Sequence, residues 1–498
     1  MRKLARILFV IAALLFVIAG IGYVLKKDDV DRLMTVNTLF DADRIVGNFS
    51  NMDRAFLTRT LDVELRDDLR SNPSPLPETI SIDGEDQPVS TILEELDTTA
   101  LVILRDGEII HESYYLGTDA DDRRISWSVA KSFMSGLYGV ALESGAIRSL
   151  YDPVTDYIPE LAGTAYEGAS LRNILNMSSG IRYNEDYLDQ ASDINKMGRT
   201  IALGGSLDDY TTTLTTRQFE PGTDWQYVSM DTHVAAWALR NATGRSIHAL
   251  WEETYGPLGF RQPPFYLTDG EGVAFALGGL NLTTRDYAKF GQLFLQGGEW
   301  NGTQLIPADW VAASTVHTAP ALSDRDVGYG YQWWVPMPAD RDFFAVGIYG
   351  QYVYVDPETN IVIAKNAADR EFTQPTSVGP HSMNLNIALF RELAAQLGRV
   401  EDDQSSRIVS GDCEETNGAW TCTAMLEDGR TVDFTSVTRS NLGKVGINLT
   451  VERETHSVAP HALLGNNALV VTSQYWIDGQ RYTVTDDVMI VDGAYLQR

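Results

Sequence analysis

Apolar residues run unbroken through residues 7–25, then alternate in short pairs, then recur at helical spacing. The unbroken run holds 19 uncharged residues, roughly 28 Å as a helix and about one bilayer core. Between residues 100 and 115, Leu101-Val102-Ile103-Leu104 and Ile109-Ile110 flank Asp106-Gly107, which predicts a β-hairpin. Residues 132–146 predict a helix, and residues 150–305 read as mostly helical with Gly and Pro breaks. A second hairpin is predicted over 343–364, turning at Asp356-Pro357-Glu358, and an amphipathic helix over 382–397. Beyond residue 407, short strand-like runs are broken by Asn417-Gly418, Asp428-Gly429 and Asp478-Gly479, the pattern of a small all-β unit.

Strands therefore sit at both ends of the region 95–398, with helices between them. This predicts an α/β (α+β) architecture: an antiparallel sheet assembled from the two ends, carrying helices and an inserted helical lobe. The expected organisation is an N-terminal anchor or signal segment (1–27), a lead-in (28–94), the main domain (95–398), a polar linker (399–406) and the all-β domain (407–498).

Arg2, Lys3 and Arg6 precede the apolar run, and Lys26-Lys27-Asp28-Asp29 closes it. A cleaved signal has a shorter apolar core and an Ala-x-Ala-like site. The run is therefore read as an uncleaved span in the cell membrane, with the basic end cytoplasmic and the globular part facing the periplasm or exterior. Secretion to the periplasm after cleavage is the alternative. The formal net charge of −29, with no cluster of Lys and Arg, excludes a nucleic-acid partner.

The chemistry is concentrated at Ser128-Val129-Ala130-Lys131, which opens the predicted helix at 132–146. A spacing of three is nearly one helical turn, so both side chains share a face. A serine hydroxyl needs a base within hydrogen-bond reach. A buried lysine can serve, because desolvation frees its amine from the proton. No Gly-x-Ser-x-Gly elbow, His-Glu-x-x-His or Cys-x-x-Cys occurs, so neither an α/β-hydrolase nor a zinc site has support, and no cofactor or metal is expected. His233 and His248 read as packed or surface residues.

Further segments carry a pattern in their order along the chain. Leu171-Arg172-Asn173-Ile174-Leu175-Asn176-Met177-Ser178-Ser179-Gly180 is one, and Phe219-Glu220-Pro221-Gly222-Thr223 leads into Trp225-Gln226-Tyr227-Val228-Ser229. Leu277-Gly278-Gly279-Leu280, Thr283-Thr284-Arg285-Asp286, Phe290-Gly291, Ile306-Pro307 and Trp310-Val311 come later. With the Ser-x-x-Lys pair, these resemble the penicillin-recognising serine hydrolases: class C β-lactamases, DD-peptidases, family VIII carboxylesterases and 6-aminohexanoate-dimer (nylon oligomer) hydrolases. The resemblance covers about residues 95–398 and implies a β-lactamase/transpeptidase-like fold.

It also implies roles. Ser128 would be the acylated nucleophile, Lys131 its base, and Tyr227 the proton shuttle to the leaving group, eased in its ionisation by Lys131. The strand motif aligns to Ala345-Val346-Gly347-Ile348-Tyr349-Gly350-Gln351, with a register shift to Gly350 as the alternative. Gly347 would let substrate backbone lie close, and the N–H groups of Ser128 and Ile348 would form an oxyanion hole. Two departures matter. Ser229 stands where the family usually has Asn, and Ala345 stands where a Lys or His usually holds a substrate carboxylate. The apolar strand and the segment Arg182-Tyr183-Asn184-Glu185-Asp186-Tyr187 look most like the 6-aminohexanoate-dimer hydrolase branch. There a tyrosine and an aspartate after the Ser-Gly loop contact substrate; Tyr187 (or Tyr183) and Asp193 are the candidates, with Ser229 and Gly347 beside them.

The function this implies is a serine hydrolase of small amides or esters working through an acyl-enzyme. Alternatives are a carboxylesterase, a weak β-lactamase or DD-peptidase, or a non-catalytic binding protein of the same fold. The two cysteines, Cys413 and Cys422, flank Asn417-Gly418 symmetrically. A two-residue turn there pairs them across a hairpin at a non-hydrogen-bonded site, about 4.5 Å between Cα atoms, which predicts a disulfide.

Overall fold

The structure, a computed structural model, describes residues 27–82, 84–320, 327–337, 342–376 and 381–398, and backbone strands between 408 and 497. The main sheet has seven strands: β1 (Thr98–Arg105), β2 (Glu108–Tyr114), β3 (Val327–Tyr329), β4 (Trp334–Pro336), β5 (Phe343–Gly347), β6 (Gln351–Asp356) and β7 (Ile361–Ala367). Their order across the sheet is β3-β4-β5-β6-β7-β1-β2, every pair antiparallel. The N-terminal hairpin thus joins the C-terminal strands through β7 and β1, as predicted, with the helical lobe between them in sequence.

Both faces of this sheet are covered. Along β7, Ile361 and Ile363 face one core and Val362 and Ala364 the other, which is why these four residues are all apolar instead of alternating. Helix α4 (Ser382–Leu397) covers the first face with Leu385, Leu389, Phe390, Leu393, Ala394 and Leu397, the i, i+4, i+8 stripe of an amphipathic helix. Helix α3 (Thr284–Leu295) covers the other. A Cβ on its Gly291 would lie 2.5 Å from Val362 Cγ1 and 2.8 Å from Val353 Cγ1, so glycine is what lets the helix seat on the sheet. Helix α1 (Ala130–Glu143) is buried nearly all round, the mark of a central helix. Gly136 and Gly139 admit Tyr255 and Trp310 at distances no side chain would permit.

The structure differs from the expected organisation at three places. Residues 39–82 do not stand apart as a lead-in but are integrated with the main domain. Leu39, Ile45, Phe49 and Met52 belong to the same core as Phe133 and Tyr255, and Ile80 and Ile82 to the other core. The region 150–305 also contains strands: Phe265–Thr268 and Leu280–Leu282 join Leu57–Thr60 and Arg124–Ile125 in a four-stranded sheet. The stretch 343–364 holds three strands and two turns, not one hairpin, because the chain also reverses between Gly347 and Gln351.

From 408 to 497, every element among the described residues is a strand. Ile408–Thr416 pairs antiparallel with Ala419–Leu426, and Cys413 is opposite Cys422; the cysteine side chains lie outside the described residues. So does the apolar run 7–25. Among the described residues, no helix is long and apolar enough to cross a membrane.

Candidate active site

Ser128 sits in a single 3₁₀ turn, Trp127–Val129, between the strand Arg124–Ile125 and α1. Trp127 takes φ +42, a left-handed conformation that costs a non-glycine residue about 1–3 kcal/mol and persists only where packing enforces it. Here the enforcement is aromatic. The Trp127 ring lies 5.6 Å from Phe49, 6.0 Å from Phe40 and 6.3 Å from Tyr349.

Lys131, on the first turn of α1, is 1% exposed. Its Nζ is 2.7 Å from Ser128 Oγ, 2.9 Å from the Leu277 carbonyl oxygen and 3.2 Å from Ser229 Oγ. Burial pushes the ammonium pKa down to about 7, while the carboxylate of Glu185 pulls it back up. The amine nearest the serine is therefore largely unprotonated just above neutrality.

Tyr227 packs in an aromatic box, its ring 5.5 Å from Trp334, 6.2 Å from Tyr329 and 6.4 Å from Trp225. Burial drives its phenol pKa far up and Glu185 adds to it, while the nearby Ser128 hydroxyl offsets part of the rise. Lys131 Nζ stands 5.1 Å from the ring centroid. This is a phenol that keeps its proton, so it can donate one.

The end of β5 completes the group. A Cβ on Gly347 would fall 2.4 Å from the Ser126 carbonyl oxygen and 3.0 Å from Ser128 N, so the strand and the nucleophile turn touch through backbone. Gly350 faces Ala367, Asp369 and Lys365 instead. Ile348 begins the turn directly after Gly347, and Tyr349 and Gly350 take φ +60 and +82 within it. Gln351 pins that turn, donating to the carbonyls of Tyr349 (2.9 Å) and Ala367 (2.8 Å). Among the described residues, strand β4 pairs with β5 only at Trp334↔Phe344, and no strand pairs with the last residues of β5 on that side. Ala345 is fully buried.

Of the remaining candidates, Ser229 begins helix α2 (Ser229–Thr243) and joins the group through Lys131. Tyr187 reaches it indirectly, its hydroxyl donating to Glu185 Oε1 at 2.8 Å. Tyr183 is buried beside the same loop, and its carbonyl accepts from Gln226 Nε2 at 2.7 Å. Asp193 is not brought to Ser128. It starts the helix Asp193–Ala202, where its carboxylate accepts from the Asn184 N–H (2.9 Å) and pairs with Lys196 (2.9 Å). His233 and His248 are buried, and His233 pairs with Asp208 at 2.8 Å. Among the described residues, no group of three His, Cys, Asp or Glu side chains could hold a metal ion.

Sequence reasoning missed two groups. The Leu277 carbonyl is a backbone acceptor and leaves no residue-type signal. Glu185 lies within the segment 182–187 that the resemblance singles out, yet nothing in a single sequence ties it to Ser229. In the fold its Oε2 accepts the Ser229 N–H at 3.1 Å, and its Oε1 accepts the Ser229 hydroxyl.

A buried lysine bonded to a serine at the start of a central helix, with a tyrosine beside them and a strand of an antiparallel sheet against the serine's turn, defines a class of hydrolase. The β-lactamase family model matches residues 89–380, more than half of the chain, and the chain belongs to that family. It is 34% identical over 288 residues to the 6-aminohexanoate-dimer hydrolase of Paenarthrobacter ureafaciens, covering 55% of this chain and 73% of that one. A Bacillus anthracis structure provisionally named a 6-aminohexanoate-dimer hydrolase superposes with a TM-score of 0.63 at 23% identity, over 72% of this chain and 96% of that one. That likeness shows the shared fold.

Proposed function

We propose that the protein hydrolyses small amides or esters through an acyl-enzyme on Ser128. The observation that carries this is the 2.7 Å contact between the Ser128 hydroxyl and a desolvated Lys131 amine. Lys131 takes the Ser128 proton as Oγ bonds to the substrate carbonyl carbon. The carbonyl π electrons move to oxygen, and the N–H groups of Ser128 and Ile348 receive the oxyanion. Collapse breaks the bond to the leaving group, which takes a proton from Tyr227; Lys131 returns its proton to the phenol. Water then attacks the ester, giving its proton back through the same path, and the acid leaves with Ser128 restored. The 34% identity to a 6-aminohexanoate-dimer hydrolase supports amides of short linear chains as substrates. The buried Ala345, where a cation would hold a lactam carboxylate, argues for esters and amides over β-lactams.

The proposal extends to where the protein works. The apolar run at 7–25 would anchor the chain in the cell membrane with the catalytic region outside, and Cys413 and Cys422 would be joined by a disulfide. Membrane fractionation under carbonate wash tests the anchor.

For the activity, the test is a side-by-side screen of p-nitrophenyl esters, 6-aminohexanoate dimer and nitrocefin with wild type and Ser128→Ala. The substitution should abolish labelling by a fluorophosphonate and lower turnover by about 10⁴–10⁶, the scale of nucleophile loss in triad enzymes. Retained labelling, or nitrocefin as the best substrate, would overturn the respective part of the proposal.

A further inference from the structure

The hydrogen-bond directions around Lys131 are not settled by its own three contacts. A neutral amine offers two N–H donors and one lone pair. The Leu277 carbonyl oxygen can only accept, so one N–H goes there at 2.9 Å. The Ser229 hydroxyl, at 3.2 Å, could either donate or accept. Were it to donate, it would compete with Ser128 for the lone pair, and the base would be spent on the wrong hydroxyl.

Glu185 removes that choice. Its Oε1 accepts the Ser229 O–H, and its Oε2 accepts the Ser229 N–H at 3.1 Å. Tyr187 donates to Oε1 as well, at 2.8 Å. Both protons of Ser229 are thereby committed to one carboxylate. Ser229 Oγ has only lone pairs left for Lys131, so it takes the second N–H. The remaining direction of the amine faces Ser128 Oγ at 2.7 Å.

We propose that Glu185 is a positioning residue which, through Ser229, aims the Lys131 lone pair at the Ser128 hydroxyl. The inference rests on the reading of Ser128 as nucleophile and Lys131 as base. A glutamine could not replace the carboxylate. Glu185 must accept at both oxygens, and an amide offers one acceptor and one donor. If the amide oxygen kept the Ser229 N–H, its NH₂ would face Ser229 Oγ and free the hydroxyl proton to turn on Lys131.

The groups facing the carboxylate are Lys131, Ser229 and Tyr187, with Tyr166, Tyr183, Tyr210, Tyr227 and Asp231 in its field. Lys131 is held up by Glu185 against its own burial. Neutralising Glu185 therefore lowers the Lys131 pKa and moves the acid limb of the reaction to lower pH. That shift reports the charge of Glu185; its positioning role is read on the plateau, where the amine is deprotonated in every variant and only its aim differs.

The experiment measures the rate of Ser128 labelling by a fluorophosphonate from pH 5 to 9, with thermal melts, for wild type, Glu185→Gln, Ser229→Ala and the double variant. E185Q should label about 10- to 100-fold more slowly on its plateau, within the general-base contribution of about 10²–10⁴, with its acid limb at lower pH. S229A should lose a similar factor, and the double variant should be at most about threefold worse than the slower single. A wild-type rate and limb in E185Q, or multiplicative losses in the double variant, would overturn the proposal. If E185Q does not fold, S229A decides alone, because the hydrogen-bonded path from Glu185 to the amine runs through Ser229: a wild-type rate there also overturns it. Labelling that survives Ser128→Ala would bring down the nucleophile reading itself, a result distinct from any of these.

Discussion

Lys131 loses its water on folding and gains two hydroxyls, a carbonyl and the field of one carboxylate. Neutral partners cannot replace hydration of a full charge, so the amine is held at about 7, well below the ordinary 10.5. That difference corresponds to about 5 kcal/mol between its two protonation states, enough to make a free amine available where an exposed lysine would have almost none. The reactive form is the deprotonated one. Turnover and Ser128 labelling should therefore rise as pH increases through about 7 and level off above it; a flat profile from pH 5 to 9 would exclude Lys131 as the base. Tyr227 behaves differently from the expectation drawn from the sequence, which had Lys131 ease its ionisation. Burial pushes the phenol far up, and a largely neutral amine near its ring offsets little of that. In the proposed reaction its part would be to give a proton, recovered from Lys131 in each cycle. Lys131→Ala and Tyr227→Phe should each be severe, and the double variant little worse than the poorer single, because both sit on one proton path. Additive losses would mean separate paths.

At the level of elements, the contact between β5 and the nucleophile turn decides the geometry. A methyl group at Gly347 would strike the Ser126 carbonyl and crowd Ser128 N. Gly347→Ala should push β5 away from the nucleophile turn, lowering the melting temperature and slowing acylation by at least about tenfold, as displacement of oxyanion-hole donors does. Unchanged kinetics would mean that the strand end plays no part in the reaction. This contact was readable from the sequence only in part. The amphipathic stripe of Ser382–Leu397 and the turn at 357–360 were legible because each is a local pattern. The reversal at 348–350 was not, since Tyr349 enters the left-handed region without a glycine's sequence signal and is held there by Gln351 and stacked aromatic rings. Glu185 was illegible for a similar reason: its partner lies 44 residues away on another element. The C-terminal hairpin is the opposite case. Its register, Thr416↔Ala419 through Cys413↔Cys422, follows from a two-residue turn alone. A disulfide there closes a short loop, so it should contribute at the low end of roughly 2–4 kcal/mol. Intact-mass analysis after alkylation without reductant should find both thiols blocked; two free thiols would count against the bridge and against an oxidising compartment.

Across the whole molecule, residues 39–82 support the site from behind. Phe49 is fully buried, lies against Trp127 at 5.6 Å and Tyr349 at 5.5 Å, and so braces both sides of the contact between β5 and Ser128. The buried Arg124 guanidinium, two residues before Ser126, donates to the Val46 carbonyl and Ser50 Oγ, each at 2.7 Å. The buried Lys289 amine donates to the Arg66 carbonyl at 2.9 Å, and Asp67 pairs with both Arg261 and Arg285. Removing this segment would leave two cations inside the protein without these acceptors, a defect worth several kcal/mol per ion. It would also strip an edge from the four-stranded sheet, where Leu57–Thr60 pairs with Phe265–Thr268. Losing Phe49 alone should cost about 3–5 kcal/mol, against a total stability of roughly 5–15 kcal/mol for an ordinary domain. A chain starting at residue 95 should therefore fail to melt cooperatively or to label with a fluorophosphonate. A chain spanning 27–398 keeps every strand of the main sheet, the lead-in and the whole Ser128 site. It should melt in a single transition and label at a rate within a few-fold of the full chain. Soluble expression, thermal melts and labelling of the two truncations side by side make the check. Full activity in the chain from 95 would show that the lead-in is dispensable, and an inactive 27–398 chain would show that the site depends on residues outside that span.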